Sequence, residues 1–385
     1  MSHLLSPLAW DVALMCDIPG VVFQHVRHSK KAFRRPHSLL IRYNTRMYYL
    51  KSLDLRDKKV LLRLDLDLPE NPDGFDTTRL DYGVPTLQYI LKKGAAQVHV
   101  IGHRGRPDGK KVKKLELKPI ADLVLARIDE KLRDKVTFGE NLRFDPGEEK
   151  NSKTFAKQLA KGFDVYVNDA FATAHREHAS VVTLPTLLPT VMGRQFEKEI
   201  KVLRQIVYVP KRPLTLILGG AKEDKLEYLD KLFEHFNVFL VGGKLAEGRK
   251  EELEKKNRKV IVADLTEDGL DINQESMEQF DRFIKASETV VWNGPVGKYE
   301  DEAHRAGTQY IANSLAKTKV FSYICGGDTE AAIDLLGFDH KEYNHVSTGG
   351  GAVMEYLVSG NLPGQQAIEE SQKAFDWDKL LEFVA

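Results

Sequence analysis

Short apolar runs that stop at glycine constrain this chain more than any other feature. Six stretches, "VIGHRGRP", "LILGGAK", "FLVGG", "VVWNGPVG", "YICGGDT" and "HVSTGGG", each end an apolar segment at a glycine turn. Runs of Val, Leu and Ile without alternation suit strands covered on both faces. The expected strands are 60–68, 97–102, 163–168, 214–218, 237–241, 259–263, 289–292 and 319–324. Between them lie segments of helical period such as 83–93, 153–161 and 195–206. This alternation predicts α/β layers around parallel sheets, with right-handed crossovers bringing every strand's C-terminal end to one edge. Open α/β sheets bind ligands beyond that edge. One glycine turn would mean only a tight connection; six in equivalent places mark a ligand edge.

The chain has 385 residues, which predicts two domains rather than one core. The segment 195–206 lacks turn residues and reads as a rigid connector, with the boundary near 190. Net charge is only +1, so no global field draws the chain to nucleic acid or membrane, and anion binding must come from local clusters. Two cysteines, Cys16 and Cys325, are too few for a disulfide scaffold or a metal site and fit a reducing, cytoplasmic setting. No apolar run reaches the roughly 18 residues of a membrane span. Residues 1–46 differ, with seven Lys and Arg against Asp11 and Asp17. Three readings stay open there: a targeting segment, an arm for nucleic acid or membrane surfaces, or a dispensable tail ahead of a domain opening at Met47.

The first half gathers basic groups at expected loop positions. In "LLRLDLDLP", Leu62, Leu64, Leu66 and Leu68 should share one face, with Arg63, Asp65 and Asp67 lining a cleft on the other. Arg79, His103, Arg106, Arg143, Asp169, His175, Arg176 and His178 follow, most of them beside Gly or Asp turns. A planar guanidinium fork binds phosphate and carboxylate bidentately, so these arginines predict a pocket for a small, multiply charged anion. His175 and His178 read as hydrogen-bonding supports, because no third metal ligand is evident.

The second half offers backbone amides. In "GGAKEDK" and "CGGDTEAAIDLLG" two glycines precede a helix-forming segment, and "STGGGA" is a third such turn. Free N–H groups at a helix start cradle phosphate. Asp328 inside such a nest would tolerate phosphate through Mg²⁺, which takes a carboxylate plus phosphate oxygens. There is no GxxxxGK[ST] and no protein-kinase catalytic loop, which excludes P-loop and protein-kinase chemistry.

The set "RLDLDLP", "DTTR", "GHRGRP", "ENLRFDPGEEK", "NDAFATAHREHAS", "LGGAK", "VVWNGPVGKYE", "GGDTEAA" and "STGGGA" resembles the phosphoglycerate kinases, in unbroken order from about Lys51 to about Ala367. The resemblance implies two Rossmann-like three-layer α/β/α domains with parallel sheets, joined by a hinge helix. Residues 47–190 would bind phosphoglycerate, 191–360 would bind nucleotide, and 361–385 would return to the first domain. It implies reversible phosphoryl transfer between ATP and the carboxylate of 3-phosphoglycerate in a monomeric, Mg²⁺-dependent enzyme of glycolysis. Asp65, Asp67, Arg79, His103, Arg106, Arg143 and Arg176 would hold phosphoglycerate. Arg79, Lys222 and Lys225 would be catalytic. Gly219, Gly220, Gly242, Gly269, Asn293, Glu300, Gly326, Gly327, Asp328 and Thr329 would meet the nucleotide, Glu300 at the ribose and Asp328 at the metal.

Departures from the family pattern bear on the site. The family has Asp-x-Asn where this chain has Asp65-x-Asp67, and the extra carboxylate calls for a partner, Arg63 or Arg79. Lys222 and Lys225 are three apart instead of four, and share a helical face if a helix has begun by Lys222. Ala172 replaces a glycine, and Lys298 stands where an apolar residue meets adenine. A gap between 244 and 260 removes much of the adenine wall. These departures motivate the alternative of an anion-binding or regulatory homologue with altered nucleotide specificity.

Overall fold

The computed structural model describes residues 48–381 apart from 73, 222 and 379. The basic tail 1–46 and Lys222 lie outside the described residues.

Strand β1 (Lys59–Arg63) leads through a hairpin, β2 (Glu70–Asn71) and β3 (Gly74–Phe75), into helix α1 (Thr78–Lys92). Then come β4 (Gln97–Ile101), α2 (Lys118–Ala126), β5 (Val136–Phe138), α3 (Pro146–Glu149), α4 (Lys153–Ala160), β6 (Val165–Asn168) and β7 (Thr190–Met192). They form a parallel five-stranded sheet in the order β5–β4–β1–β6–β7. Helix α5 (Arg194–Tyr208) joins this half to the next.

The second half runs β8 (Leu214–Leu218), α6 (Glu227–Leu232), β9 (Val238–Val241), α7 (Lys250–Lys256), β10 (Val260–Val262) and α8 (Gln274–Lys285). It continues with β11 (Thr289–Asn293), α9 (Ala306–Lys317), β12 (Phe321–Cys325), α10 (Gly327–Leu335), β13 (His345–Ser347) and α11 (Gly350–Ser359). Its six strands are parallel, in the order β10–β9–β8–β11–β12–β13. Helix α12 (Pro363–Ala374) returns to the first half.

The unbroken apolar runs follow from layers on both faces. Along β8, Leu214, Leu216 and Leu218 enter the core shared with α5 and α11. Ile217 points the other way, into the core shared with α8 and α9. Five strands are absent from the expected set, β2, β3, β5, β7 and β13, each of only two or three residues.

The expected strand 60–68 pairs only as far as Arg63, and one further ladder bond joins Leu64 N–H to the Ile101 carbonyl. Beyond it the chain leaves the sheet, yet Leu62, Leu64, Leu66 and Leu68 all stay in one core. The helix expected over 83–93 begins five residues earlier, at Thr78. Asp76 fixes that start by accepting from the Thr78 N–H and hydroxyl at 2.9 and 2.7 Å. Arg79 therefore sits on a helix, not in a loop.

Helix α5 buries Phe196, Ile200, Leu203 and Ile206 along one stripe. Glu199 lies on the same buried face, accepting from the Tyr323 hydroxyl and paired with His345 Nε2, each at 2.8 Å. The connector is thus tied to β12 and β13 by buried polar bonds.

Past α12, Trp377 and Leu380 join the core of the first sheet. Trp377 stacks on Tyr48 with ring centroids 4.8 Å apart, and Leu53 bridges to Leu381. The end of the chain therefore completes a core built near its beginning. Trp377 is only 3% exposed, so Trp377→Ala should destabilise by about 3–5 kcal/mol. Chemical denaturation of both proteins measures the loss.

Candidate functional site

Each sheet reverses its strand order once, between β1 and β6 in the first and between β8 and β11 in the second. Loops leave such a point in opposite directions and open a crevice. The loops after β1, β4 and β6 carry Asp65 and Asp67, His103 to Arg106, and Asp169 to Arg176. In the second half, Asn293 ends β11, and the turns after β12 and β13 carry Gly326 to Thr329 and Thr348 to Gly351. The two edges face each other across one cavity of about 470 Å³, lined by residues of both halves.

The first wall is cationic. Arg79 reaches both oxygens of Asp65 from Nη1 at 3.2 Å, and Asp65 raises its already high pKa. Arg106 and Arg176 line the cavity, and their guanidinium groups make no hydrogen bond or ion pair among the described residues. Burial and the Arg106 charge lower the pKa of Arg176. Two guanidinium groups held without partners form a site waiting for an anion. His103 is 5% exposed; burial, with Arg143, Arg63, Arg79 and Arg176 around it, holds its imidazole neutral.

Arg143 stands behind this wall, outside the cavity lining. Its Nη1 donates to the Gly105 carbonyl at 2.7 Å and its Nε lies 3.1 Å from Glu149. Asp67 does not pair with Arg63 or Arg79 as expected. It accepts the Gly105 N–H at 2.7 Å and lies 3.6 Å from His103 Nε2. Arg79 is already held by Asp65, and Arg63 points into the interior.

Arg63 departs most from the expected polar row. It is 1% exposed and donates to Ser180 Oγ at 2.9 Å and to Thr173 Oγ1 at 2.5 Å. Glu148 accepts from Ser180 N–H and Oγ at 3.0 and 2.6 Å and lies 4.0 Å from Arg63. This buried strut fixes the loop that presents His175 and Arg176. The missed signal was position: Arg63 ends the strand, whereas Asp65 and Asp67 lie past it. His178 lies 3.8 Å from Glu148, and burial pushes it down to about 3 and His175 to about 4. Ala172 lies in a 3-10 turn and is not among the residues with positive φ, so its methyl brings no strain.

The second wall is built from chain ends. Lys225 donates to the Gly219 carbonyl at 2.9 Å and the Asn293 carbonyl at 3.4 Å, above the ends of β8 and β11. It sits in a 3-10 turn before α6 begins at Glu227, so α-helical spacing does not explain its placement. Gly326, with φ of 99°, opens α10, and Asp328 is exposed on its first turn. Thr329 is a pin: its hydroxyl donates to the Cys325 carbonyl at 2.9 Å and accepts the Gly294 N–H at 2.7 Å.

Among the nucleotide candidates, Lys225, Asn293, Gly326, Gly327, Asp328 and Thr329 line the cavity, and Gly219, Gly220, Gly242 and Glu300 do not. Gly269 lines a separate, open hollow of about 830 Å³. The "STGGGA" glycines admit the other half of the molecule: a Cβ on Gly349 would lie 2.6 Å from the Phe171 ring, and one on Gly351 3.3 Å from His175. Across the gap, a Cβ on Gly327 would lie 3.8 Å from Arg79 Nη2. Arg79 thus reaches from the first half to the first turn of α10.

Asp169 caps the connector α5, accepting the Phe196 N–H at 2.9 Å. Burial pushes its carboxyl up to about 7. A carboxyl whose folded pKa is raised favours folding below the ordinary carboxylate range, and that contribution is lost as pH rises toward 7. Asp169→Asn keeps a capping oxygen and removes the titration. Urea midpoints should therefore vary less with pH in the variant over the range of about 4 to 7, with its stability relative to the parent rising across it.

Residues 50–249 and 247–360 match the family model described as phosphoglycerate kinase. A phosphoglycerate kinase of Pseudothermotoga lettingae is 35% identical over 394 residues, covering 84% of this chain and 99% of its own length. One from Finegoldia magna is 34% identical over 392 residues, covering 83% and 98%. The solved phosphoglycerate kinases of Coxiella burnetii and Pyrococcus horikoshii superpose with TM-scores of 0.72 and 0.74 at 27% and 26% identity. Each match covers 86% of this chain and 100% of the solved one.

Proposed function

The chain belongs to the phosphoglycerate kinase family, and we propose that the cavity between its two sheets is where a phosphoryl group passes between ATP and the carboxylate of 3-phosphoglycerate. The enzyme is a phosphotransferase with a carboxyl acceptor, and its products are ADP and 1,3-bisphosphoglycerate. The observation that supports this site most directly is the opposition of Arg106 and Arg176, whose guanidinium groups have no partner among the described residues, to the glycine-started helix α10 across one cavity.

In this reading Arg106, Arg176 and neutral His103 hold the phosphoglycerate, with Asp65 and Asp67 orienting Arg79 and the Gly105 turn. Arg143 acts from behind, through the Gly105 carbonyl. Arg79 neutralises charge on the moving phosphoryl group. Lys225, with Lys222, steadies the terminal phosphates of the nucleotide. Asn293 and Gly326 to Thr329 meet its polyphosphate. Gly219, Gly220, Gly242 and Gly269 would meet the nucleotide outside this cavity, and Glu300 its ribose. The attacking carboxylate is already ionised, so no side chain need remove a proton. Catalysis is positioning plus electrostatic neutralisation.

Among the described residues no group of three His, Cys, Asp or Glu is placed to hold a metal. An exposed carboxylate on the first turn of α10, Asp328, fits an ion that takes its other oxygens from phosphate and water. Asp328 would hold Mg²⁺, which supplies charge neutralisation on the polyphosphate when bound. Because the two ligands dock on different halves, turnover requires opening and closing about α5. The same reading makes the enzyme monomeric and cytoplasmic and divides it near residues 190 and 360.

A chain starting at Met47 should phosphorylate 3-phosphoglycerate in a coupled assay that needs ATP and Mg²⁺, and chelation should stop it. Absence of turnover in that assay would defeat the assignment. Arg79→Ala should lower kcat on the order of 10²–10³-fold with an unchanged circular dichroism spectrum. Near-normal turnover of that variant would remove Arg79 from the chemistry.

A further inference from the structure

Arg79 is not the only residue of α1 that reaches across the cleft. Tyr82, three residues on and on the same helical face, places its hydroxyl 2.9 Å from Nδ1 of His340 in the second half. The other ring nitrogen of His340, Nε2, lies 2.8 Å from Oδ1 of Asp334. Asp334 is in the last turn of α10, the helix whose first residue, Gly327, faces Arg79. Helix α1 therefore touches both ends of α10. Its guanidinium meets the start, and a phenol–imidazole–carboxylate chain meets the finish. Between the two contacts Glu330 is buried, and its carboxyl feels the charge of both His340 and Arg79.

One contact would leave α10 free to swivel about Arg79, whereas contacts at both ends fix its angle. The chain tolerates a change of protonation. A neutral His340 accepts from the Tyr82 hydroxyl at Nδ1 and donates Nε2–H to Asp334. A protonated ring donates at both nitrogens, with the phenol oxygen as acceptor. Burial keeps the Tyr82 hydroxyl protonated.

We propose that Tyr82 and His340 are positioning residues for phosphoryl transfer: their hydrogen bond latches α1 to the far end of α10 and so sets the approach of Arg79 to the phosphate-facing turn. This rests on the function proposed above. Because the bond joins side chains of different halves, it exists only when the cleft is closed. Its loss lowers the closed fraction and hence kcat, while each substrate still docks on its own half.

The test compares the full chain with Tyr82→Phe, His340→Ala and the double variant. Three quantities are measured: kcat at saturating substrates, the separate Kd values of 3-phosphoglycerate and Mg-ATP, and the X-ray scattering radius with both ligands present. Each single variant should lose about fivefold in kcat, the factor for one net hydrogen bond of about 1 kcal/mol. Both Kd values should hold, and the scattering radius should increase. The double variant should be no slower than either single one, since both remove the same bond. Tyr82→Phe keeps the ring, and an unchanged unfolding midpoint shows that folding is intact. Unchanged kcat and radius in Tyr82→Phe, or losses that multiply in the double variant, would overturn the latch. A parent inactive on 3-phosphoglycerate would overturn the reaction assignment instead, and the scattering comparison would still decide whether the latch closes the cleft.

Discussion

Excess positive charge on one sheet edge is the condition on which the rest of the molecule depends. The guanidinium groups of Arg106 and Arg176 make no ion pair among the described residues, and they lie close enough that the charge of Arg106 disfavours that of Arg176, against the weaker opposing charges of Glu149 and Asp67. Such an arrangement repels itself, and only a rigid frame keeps it assembled. The frame is visible: Arg63, Glu148, Ser180 and Thr173 lock the loop bearing Arg176. Asn141 bonds the Arg104 backbone in both directions and so fixes the loop bearing Arg106. His103, kept neutral by its surroundings, adds hydrogen-bonding capacity without more repulsion.

The second half answers with partial charges. In the proposed reading, strand ends, glycine-started helices and Lys225 would present donors to a polyphosphate, and Asp328 would hold a cation. In that reading neither wall acts alone, because the reacting groups of the two ligands would meet in the gap. Close approach of the halves is therefore built into the packing. Gly349 and Gly351 leave room for Phe171 and His175, and Glu199 carries the connector's polar bonds to β12 and β13.

Much of this was legible in the residues. The parallel α/β layers, the connector and most strands followed from apolar runs ending at glycine, a local property that burial on two faces imposes. Arg79, His103, Arg106 and Arg176 were marked by their turns, and all line the cavity. Arg143 carried the same mark and lies behind it, as does Arg63, which was expected on the polar face of its strand. The alternation of "LLRLDLDLP" gave the faces of its leucines and aspartates but not the depth at which Arg63 sits. Depth depends on which helices cover a strand, and no spacing within the strand encodes it. Glycines misled in a similar way. Gly219 serves close packing, since a Cβ there would lie 2.3 Å from the Pro295 carbonyl.

The sequence by itself determined the fold class, the family and the chemical inventory: arginines for one ligand, glycine turns and lysines for the other. These depend on local periodicity and residue type, which are written along the chain. Only the tertiary structure decided which arginines stay unpaired, that His103 and the Gly105 amide rather than Arg63 or Arg79 take Asp67, and that Tyr82 meets His340. Each of these is a contact between segments far apart in the chain. Their pairing is set by how two sheets and a connecting helix pack, and packing distances are not a property of any one segment.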